Sequence, residues 1–131
     1  MRNAGLLLAL LAVGAAVLAQ GCMLAAVGAG AAGTVAYMKG DLESVESEDI
    51  QTVFEAAKKA AEELKLSVVE ASKDALSAKI VARDAQDKKI TIRLKAVSAQ
   101  STELSIRVGT FGSETKSRLI YNTIKDNLEQ G

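Results

Sequence analysis

The sequence predicts a small α+β domain in which two helices cover one face of an antiparallel sheet of about five strands, in the order β-α-β-β-β-β-α. Four short runs of alternating polarity follow one another after residue 65, and the gaps between them are too short for parallel crossovers. An amphipathic helical stripe precedes these runs and another follows them. Both helices must cover the same sheet face, because only that face presents apolar surface.

The chain has 131 residues, with 16 basic and 16 acidic side chains, one Cys, and no His, Pro or Trp. This charge balance favours neither a nucleic acid nor an acidic substrate as partner. A single Cys forms no intramolecular disulfide, so the domain has to be stabilised by aliphatic packing.

The N-terminus has the parts of an export signal. One positive charge at Arg2 precedes an apolar run from Ala4 to Ala19, and small residues stand before Cys22. We therefore predict a signal peptide at residues 1–21. As an alternative, Cys22 is a small apolar residue inside a membrane helix.

The segment Leu18-Ala19-Gln20-Gly21-Cys22 resembles the bacterial lipobox, with Ala19 where the consensus prefers Leu. The resemblance implies cleavage before Cys22 and lipidation of its sulfur, with palmitate in the anchor. Met23 is not the Asp that tends to retain such lipoproteins in the inner membrane. The expected location is therefore the periplasmic face of the outer membrane.

Residues 22–33 are rich in Gly and Ala, and we predict that they form a tether leading to a single periplasmic domain at residues 34–131. In an alternative, Ala4–Ala19 and Leu24–Met38 both stay in the bilayer and oligomerise as a structural membrane protein. Gly28–Gly33 satisfies the pattern G-x-G-x-x-G, but it lacks the strand-turn-helix setting that dinucleotide binding needs. No cofactor is expected.

Residues 34–45 alternate around Gly40 and predict one bent strand. Ser47 is expected to cap the first helix, with Glu48 and Asp49 in its first turn. The apolar stripe of this helix consists of Ile50, Val53, Phe54, Ala57, Ala60, Ala61 and Leu64.

The four following strands are predicted at Leu66–Ser72, Leu76–Arg83, Lys89–Val97 and Glu103–Val108 and form a meander. Their core face comprises Leu76, Ala78, Ile80, Ala82, Ile90, Ile92, Leu94, Ala96, Leu104, Ile106 and Val108.

Ser113 is expected to cap a second helix at residues 114–128, whose apolar stripe includes Ile120, Ile124 and Leu128. Phe111 precedes this helix between two glycines, and we expect it to pack into the core.

This plan is similar to the helix-grip domains of BamC-type outer-membrane assembly lipoproteins, a likeness of fold alone. A closer resemblance covers the lipobox, the tether, Val35–Glu43, Val53–Ala57, Lys73–Ser77 and Ser105–Gly112. These segments look like a family of small bacterial lipoproteins described only as a domain of unknown function. The resemblance implies fold and location and supplies no catalytic residue.

Catalysis and metal binding are not expected. Histidine is absent and the only thiol is expected to be lipidated, which removes the usual general base and thiolate ligands. The carboxylate pairs Glu48/Asp49 and Glu62/Glu63 are neighbours in sequence and do not face each other on a helix.

The outer sheet face is the predicted binding site. The basic side chains on this face are Lys79, Arg83, Lys89, Arg93, Lys95 and Arg107. Glu103 is the only acidic side chain expected on the same face. Lipid headgroups, an anionic envelope polymer or an envelope protein would fit this face. The alternative is an uncovered sheet face that contacts only water. No aromatic residue is interleaved for base stacking, so nucleic acid is not an expected partner. The predicted function is a membrane-anchored, non-catalytic binding or accessory protein of the cell envelope.

Overall fold

A computed structural model describes residues 35–131, which form two helices and one antiparallel sheet of six strands. The elements are β1 (Val35–Met38), β2 (Asp41–Glu46), α1 (Ile50–Glu63), β3 (Ser67–Lys73), β4 (Ser77–Arg83), β5 (Lys89–Ser98), β6 (Ser101–Val108) and α2 (Glu114–Gln130). The strands lie in the order β1-β2-β6-β5-β4-β3. The predictions for the signal peptide, Cys22, the tether and Gly28–Gly33 lie outside the described residues.

The predicted single strand over residues 34–45 is wrong, because this segment is a hairpin. Lys39 and Gly40 have φ values of 54° and 88°, and two consecutive positive values form the tight turn that suits the twist of paired strands. β1 then pairs with β2. The sheet therefore has six strands in the order β-β-α-β-β-β-β-α, where the sequence predicted five strands and one element before the first helix.

The meander is confirmed, since β3, β4, β5 and β6 pair consecutively and antiparallel. The predicted ends of these strands agree with the structure to within two residues. β2 pairs with the other side of β6, which places the N-terminal hairpin at the edge of the sheet opposite β3.

The cap of α1 differs from the prediction. Asp49, and not Ser47, accepts a hydrogen bond from the backbone amide of Thr52 at 2.9 Å, and its other oxygen accepts from the Thr52 hydroxyl at 2.9 Å. Asp49 satisfies both donors of Thr52 from the position directly before the helix. The predicted cap of α2 is confirmed, because Ser113 accepts from the Lys116 amide.

Both helices pack on one face of the sheet, and their apolar stripes form one core with the strands. The predicted core face is confirmed except at Leu76, which is 69% exposed because it lies in the turn before β4 begins. Ala96 is half-buried at the edge of the core. Phe111 is 91% exposed, so the expectation that it packs into the core is also wrong.

Candidate functional site

The predicted cations all lie on the sheet face opposite the helices. Lys79 and Arg83 are on β4, while Arg107 is on β6 and the others are on β5. The register places Lys79 directly opposite Arg93, and Arg83 directly opposite Lys89. Side chains opposed in this way have Cβ atoms about 4.5–5.5 Å apart, so each of these like-charged pairs is repulsive.

The acids of this face are more numerous than the sequence predicted. β2 brings Asp41 and Glu43 beside β6, where Asp41 lies opposite Arg107. On β3, Glu70 lies opposite Val81 of the outer face. The expectation that Glu103 is the only acid is therefore wrong, because a local pattern does not reveal which strand lies beside β6.

The outer face is consequently divided into two halves. Opposite charges are matched where β2, β6 and β5 meet, at Asp41 with Arg107 and at Glu103 with Lys95. Like charges are matched between β4 and β5. In this positive half no acid lies directly opposite a cation, and Glu70 of β3 lies beside it, opposite Val81.

Arg107 is not part of this positive half. Its Nη1 donates to Asp41 Oδ1 at 3.1 Å and to the Lys39 carbonyl oxygen at 3.1 Å, and its Nη2 donates to the Thr110 carbonyl oxygen. These bonds join the β1–β2 turn to the turn after β6. The guanidinium therefore holds the two turns together, and Asp41 compensates its charge.

Arg83 is also partly engaged. Its Nη1 donates to the Asp87 carbonyl oxygen at 3.0 Å, and its Nε lies 3.7 Å from Asp87 Oδ1. The remaining predicted cations form no ion pair with another residue between Val35 and Gly131, and this includes Lys95, which lies opposite Glu103 in the register but is not within ion-pair distance of it. We call this set the basic strip, and it consists of Lys79, Lys89, Arg93 and Lys95.

Two open grooves run along the outer face, and Arg93 lines both. The first groove, of about 860 Å³, contains Lys79 and Lys95 and is bordered by Glu43 and Glu103. The second, of about 740 Å³, contains Arg83, Lys89 and Phe111. An extended anionic group lying across the strip would contact Arg93 in either groove.

A buried polar network between β2 and α2 was missed by the sequence analysis. Glu46 is completely buried, and its Oε1 accepts from the Ser44 hydroxyl at 2.6 Å while its Oε2 accepts from Lys125 Nζ at 3.0 Å. Burial and the charge of Glu46 raise the pKa of Tyr121. Burial has the largest single effect on the pKa of Lys125 and lowers it, but the hydrogen bond to Glu46 and the negative charges nearby together outweigh burial, and the pKa is raised.

The signal for this network was the alternation of Leu42, Ser44 and Glu46, which places all three on the core side. The prediction of one continuous strand concealed it. Because Glu46 is closed to solvent, a substrate has no access to its carboxylate, and the network acts by joining α2 to β2.

The described residues offer no cluster of three or more metal-ligand side chains of the His, Cys, Asp and Glu types. Neither helix between residues 35 and 131 is long and apolar enough to span a membrane. A protein-family model described as "Protein of unknown function (DUF3568)" matches residues 5–127 of the chain. No curated protein matches it.

Proposed function

The chain belongs to the DUF3568 family, whose description assigns no activity, and from its own residues we propose that it is a non-catalytic binding or accessory protein of the bacterial cell envelope. In this proposal residues 1–21 are removed and Cys22 carries the lipid that anchors the chain. The lipobox resemblance of residues 18–22 supports the anchor, and Met23 supports the periplasmic face of the outer membrane.

The basic strip is the proposed contact for an anionic partner, either an envelope protein or an envelope polymer. The observation that carries this proposal is the direct opposition of Lys79 and Arg93 in the β4–β5 register. Like charges so placed destabilise a sheet by roughly 0.2–1 kcal/mol, and an anionic group above both would reverse the sign of that contribution.

Lys79→Glu in the full-length protein tests the strip, because it places a carboxylate opposite Arg93. We expect the free energy of unfolding to rise by about 0.5–1 kcal/mol, since repulsion becomes attraction. The yield of the crosslinked envelope partner in intact cells should fall at the same time. Urea denaturation and mass spectrometry of crosslinked products measure the two effects.

The matched control is Lys59→Glu, which makes the same charge change at an exposed position of α1 that forms no ion pair within the described residues. It should leave the crosslinked partner unchanged. Identical partners for wild type, Lys79→Glu and Lys59→Glu would show that the strip contacts only solvent.

The anchor is tested separately by the intact mass of the mature protein and by palmitate labelling of wild type and Cys22→Ala. We expect a product that begins at Cys22 and loses its label in the variant. Retention of residues 1–21 would support the alternative of a structural membrane protein with embedded apolar segments. The pairing of Val35–Met38 with β2 supports the lipoprotein, because these residues belong to the sheet.

A further inference from the structure

Phe111 is the most exposed large apolar side chain between residues 35 and 131. The chain has only two Phe and two Tyr residues. Phe54 and Tyr121 are buried in the core, and Tyr37 packs against it. Tyr37 is partly buried, and Phe111 is thus the one fully exposed aromatic ring among the four.

The turn that presents Phe111 is closely fixed to the rest of the sheet. A Cβ on Gly112 would clash with the Gly40 carbonyl oxygen and would lie 2.6 Å from the Tyr37 hydroxyl, so only glycine allows this approach. Arg107 also binds the Thr110 carbonyl oxygen. The turn that exposes Phe111 therefore has a defined conformation. It contacts the β1–β2 hairpin on one side and leads into α2 on the other.

Cations surround this turn. The groove that Phe111 lines is also lined by Lys88, Lys89, Arg83 and Arg93, and its acid, Asp87, is already paired with Arg83. Met38, 63% exposed, belongs to the same outer face across from Asp41. An aromatic tip beside flexible lysines is the composition of a contact with a membrane interface, where the ring enters the headgroup region and the amines approach lipid phosphates.

We propose that this end of the sheet docks on an anionic phospholipid surface, with Phe111 inserted among the headgroups and Lys88 and Lys89 against their phosphates. This inference rests on the membrane location in the proposed function; it shares Lys89 with the basic strip but does not require the partner proposed for Lys79 and Arg93. A protein partner would require a broader apolar surface around the ring. The neighbours of Phe111 along the chain are instead Thr110 and Gly112, and those across the groove are cations.

The absence of Trp makes the test direct, because Phe111→Trp supplies the only indole emission of the chain. The full-length protein is placed in vesicles of phosphatidylcholine alone or of phosphatidylcholine with phosphatidylglycerol. We expect emission at shorter wavelength and quenching by headgroup-proximal brominated lipid only when phosphatidylglycerol is present. Lys88→Gln and Lys89→Gln, added singly to the reporter chain, should each lower the ratio of docked to free protein about fivefold.

The matched reporter is Val97→Trp, at a half-exposed position near the β5–β6 turn at the opposite end of the sheet. Its emission should be equal in both kinds of vesicle. Equal quenching of the two reporters, or quenching at position 111 that does not depend on phosphatidylglycerol, would overturn the proposal. Either result leaves the crosslinking test of Lys79→Glu unaffected, so the failures of the two proposals are distinguishable.

Discussion

At the scale of single residues, Glu46 is the only charged side chain of residues 35–131 that is fully buried. A buried carboxylate is costly unless hydrogen bonds and a cation compensate it. Ser44 of β2 and Lys125 of α2 supply this compensation, so the two hydrogen bonds join the second helix to the sheet.

Removing the cation should therefore destabilise the fold. Lys125→Met leaves the Glu46 carboxylate buried without its positive partner, and we expect a loss of about 1–3 kcal/mol in the free energy of unfolding. Adding Glu46→Gln to Lys125→Met should restore part of this loss, because a neutral amide does not require a cation. Urea denaturation of the two single variants and the double variant measures the coupling.

The pH dependence separates this explanation from simple packing. The pKa values of Tyr121 and Lys125 are both raised in the folded state, so their contribution is complete below about pH 10 and is lost as the pH rises further. The alkaline loss of stability should be smaller in Lys125→Met than in wild type. If the free energy of unfolding of the two proteins falls equally with rising pH, the Glu46–Lys125 pair does not contribute to the pH dependence.

At the scale of elements, β3 differs from the other strands because all of its residues are exposed. It pairs only with β4, and a bulge between Val68 and Glu70 leaves Val69 without a partner residue. Bulges and charged side chains on an edge strand discourage pairing with another chain. The helices cover the central strands, and β5 and β6 carry most of the buried Ile, Leu and Val side chains of the sheet.

Local stability should follow this arrangement. We expect the backbone amides of β3 to exchange with solvent faster than those of β5 and β6, because opening β3 exposes little apolar surface. Native-state hydrogen exchange read by mass spectrometry, over peptides covering 67–73 and 89–108, measures the difference. Protection of β3 equal to that of β5 in the monomer would show that its edge is more stable than its burial indicates.

At the scale of the whole molecule, aspartates at the ends of helices and strands make the free energy of unfolding depend on pH in the acid range. Backbone hydrogen bonds lower the pKa of Asp49 at the start of α1, of Asp74 between β3 and β4, and of Asp84 between β4 and β5. Asp84 accepts first from the Lys88 amide and also pairs with Lys116 of α2 at 3.0 Å. It therefore ties the sheet to the helix layer.

A group with a lowered folded-state pKa contributes stability above its ordinary value of 3.8 and loses it as the pH falls further. We expect wild type to lose stability below about pH 4. Asp84→Asn should be less stable than wild type at neutral pH, but its stability should depend less on pH in acid. Urea midpoints measured from neutral pH to about pH 3 test this. Equal acid slopes would show that Asp84 does not contribute to the linkage.

Local physical signals sufficed for much of the fold. Ser113 capped α2 as predicted because a cap depends on residues within one helical turn. Ile80 and Ile92 faced the core as predicted because alternation along a strand depends only on neighbouring positions. The prediction that Leu76 faces the core was wrong, because the start of a strand depends on the turn before it. In that turn Asp74 accepts hydrogen bonds from two backbone amides.

The candidate site was only partly predictable for a different reason. The sequence placed Arg93 and Arg107 on the same face, but their neighbours across the sheet come from segments far apart in the chain. Asp41 lies 66 positions before the Arg107 that it binds, and Glu46 lies 79 positions before Lys125. The periodicity of apolar residues along one strand or helix does not indicate which distant residues will pair.

The composition of the two layers, the meander of β3–β6 and the face on which most strand residues lie could all be predicted from the sequence, because helical and strand periods are local properties of the chain. Pairing between distant strands makes residues 35–46 a hairpin beside β6, joins Arg107 to Asp41, and places Lys79 directly opposite Arg93. The physical reason is that pairing between distant strands determines which charges meet, and the free energy of such pairing is shared by the whole sheet.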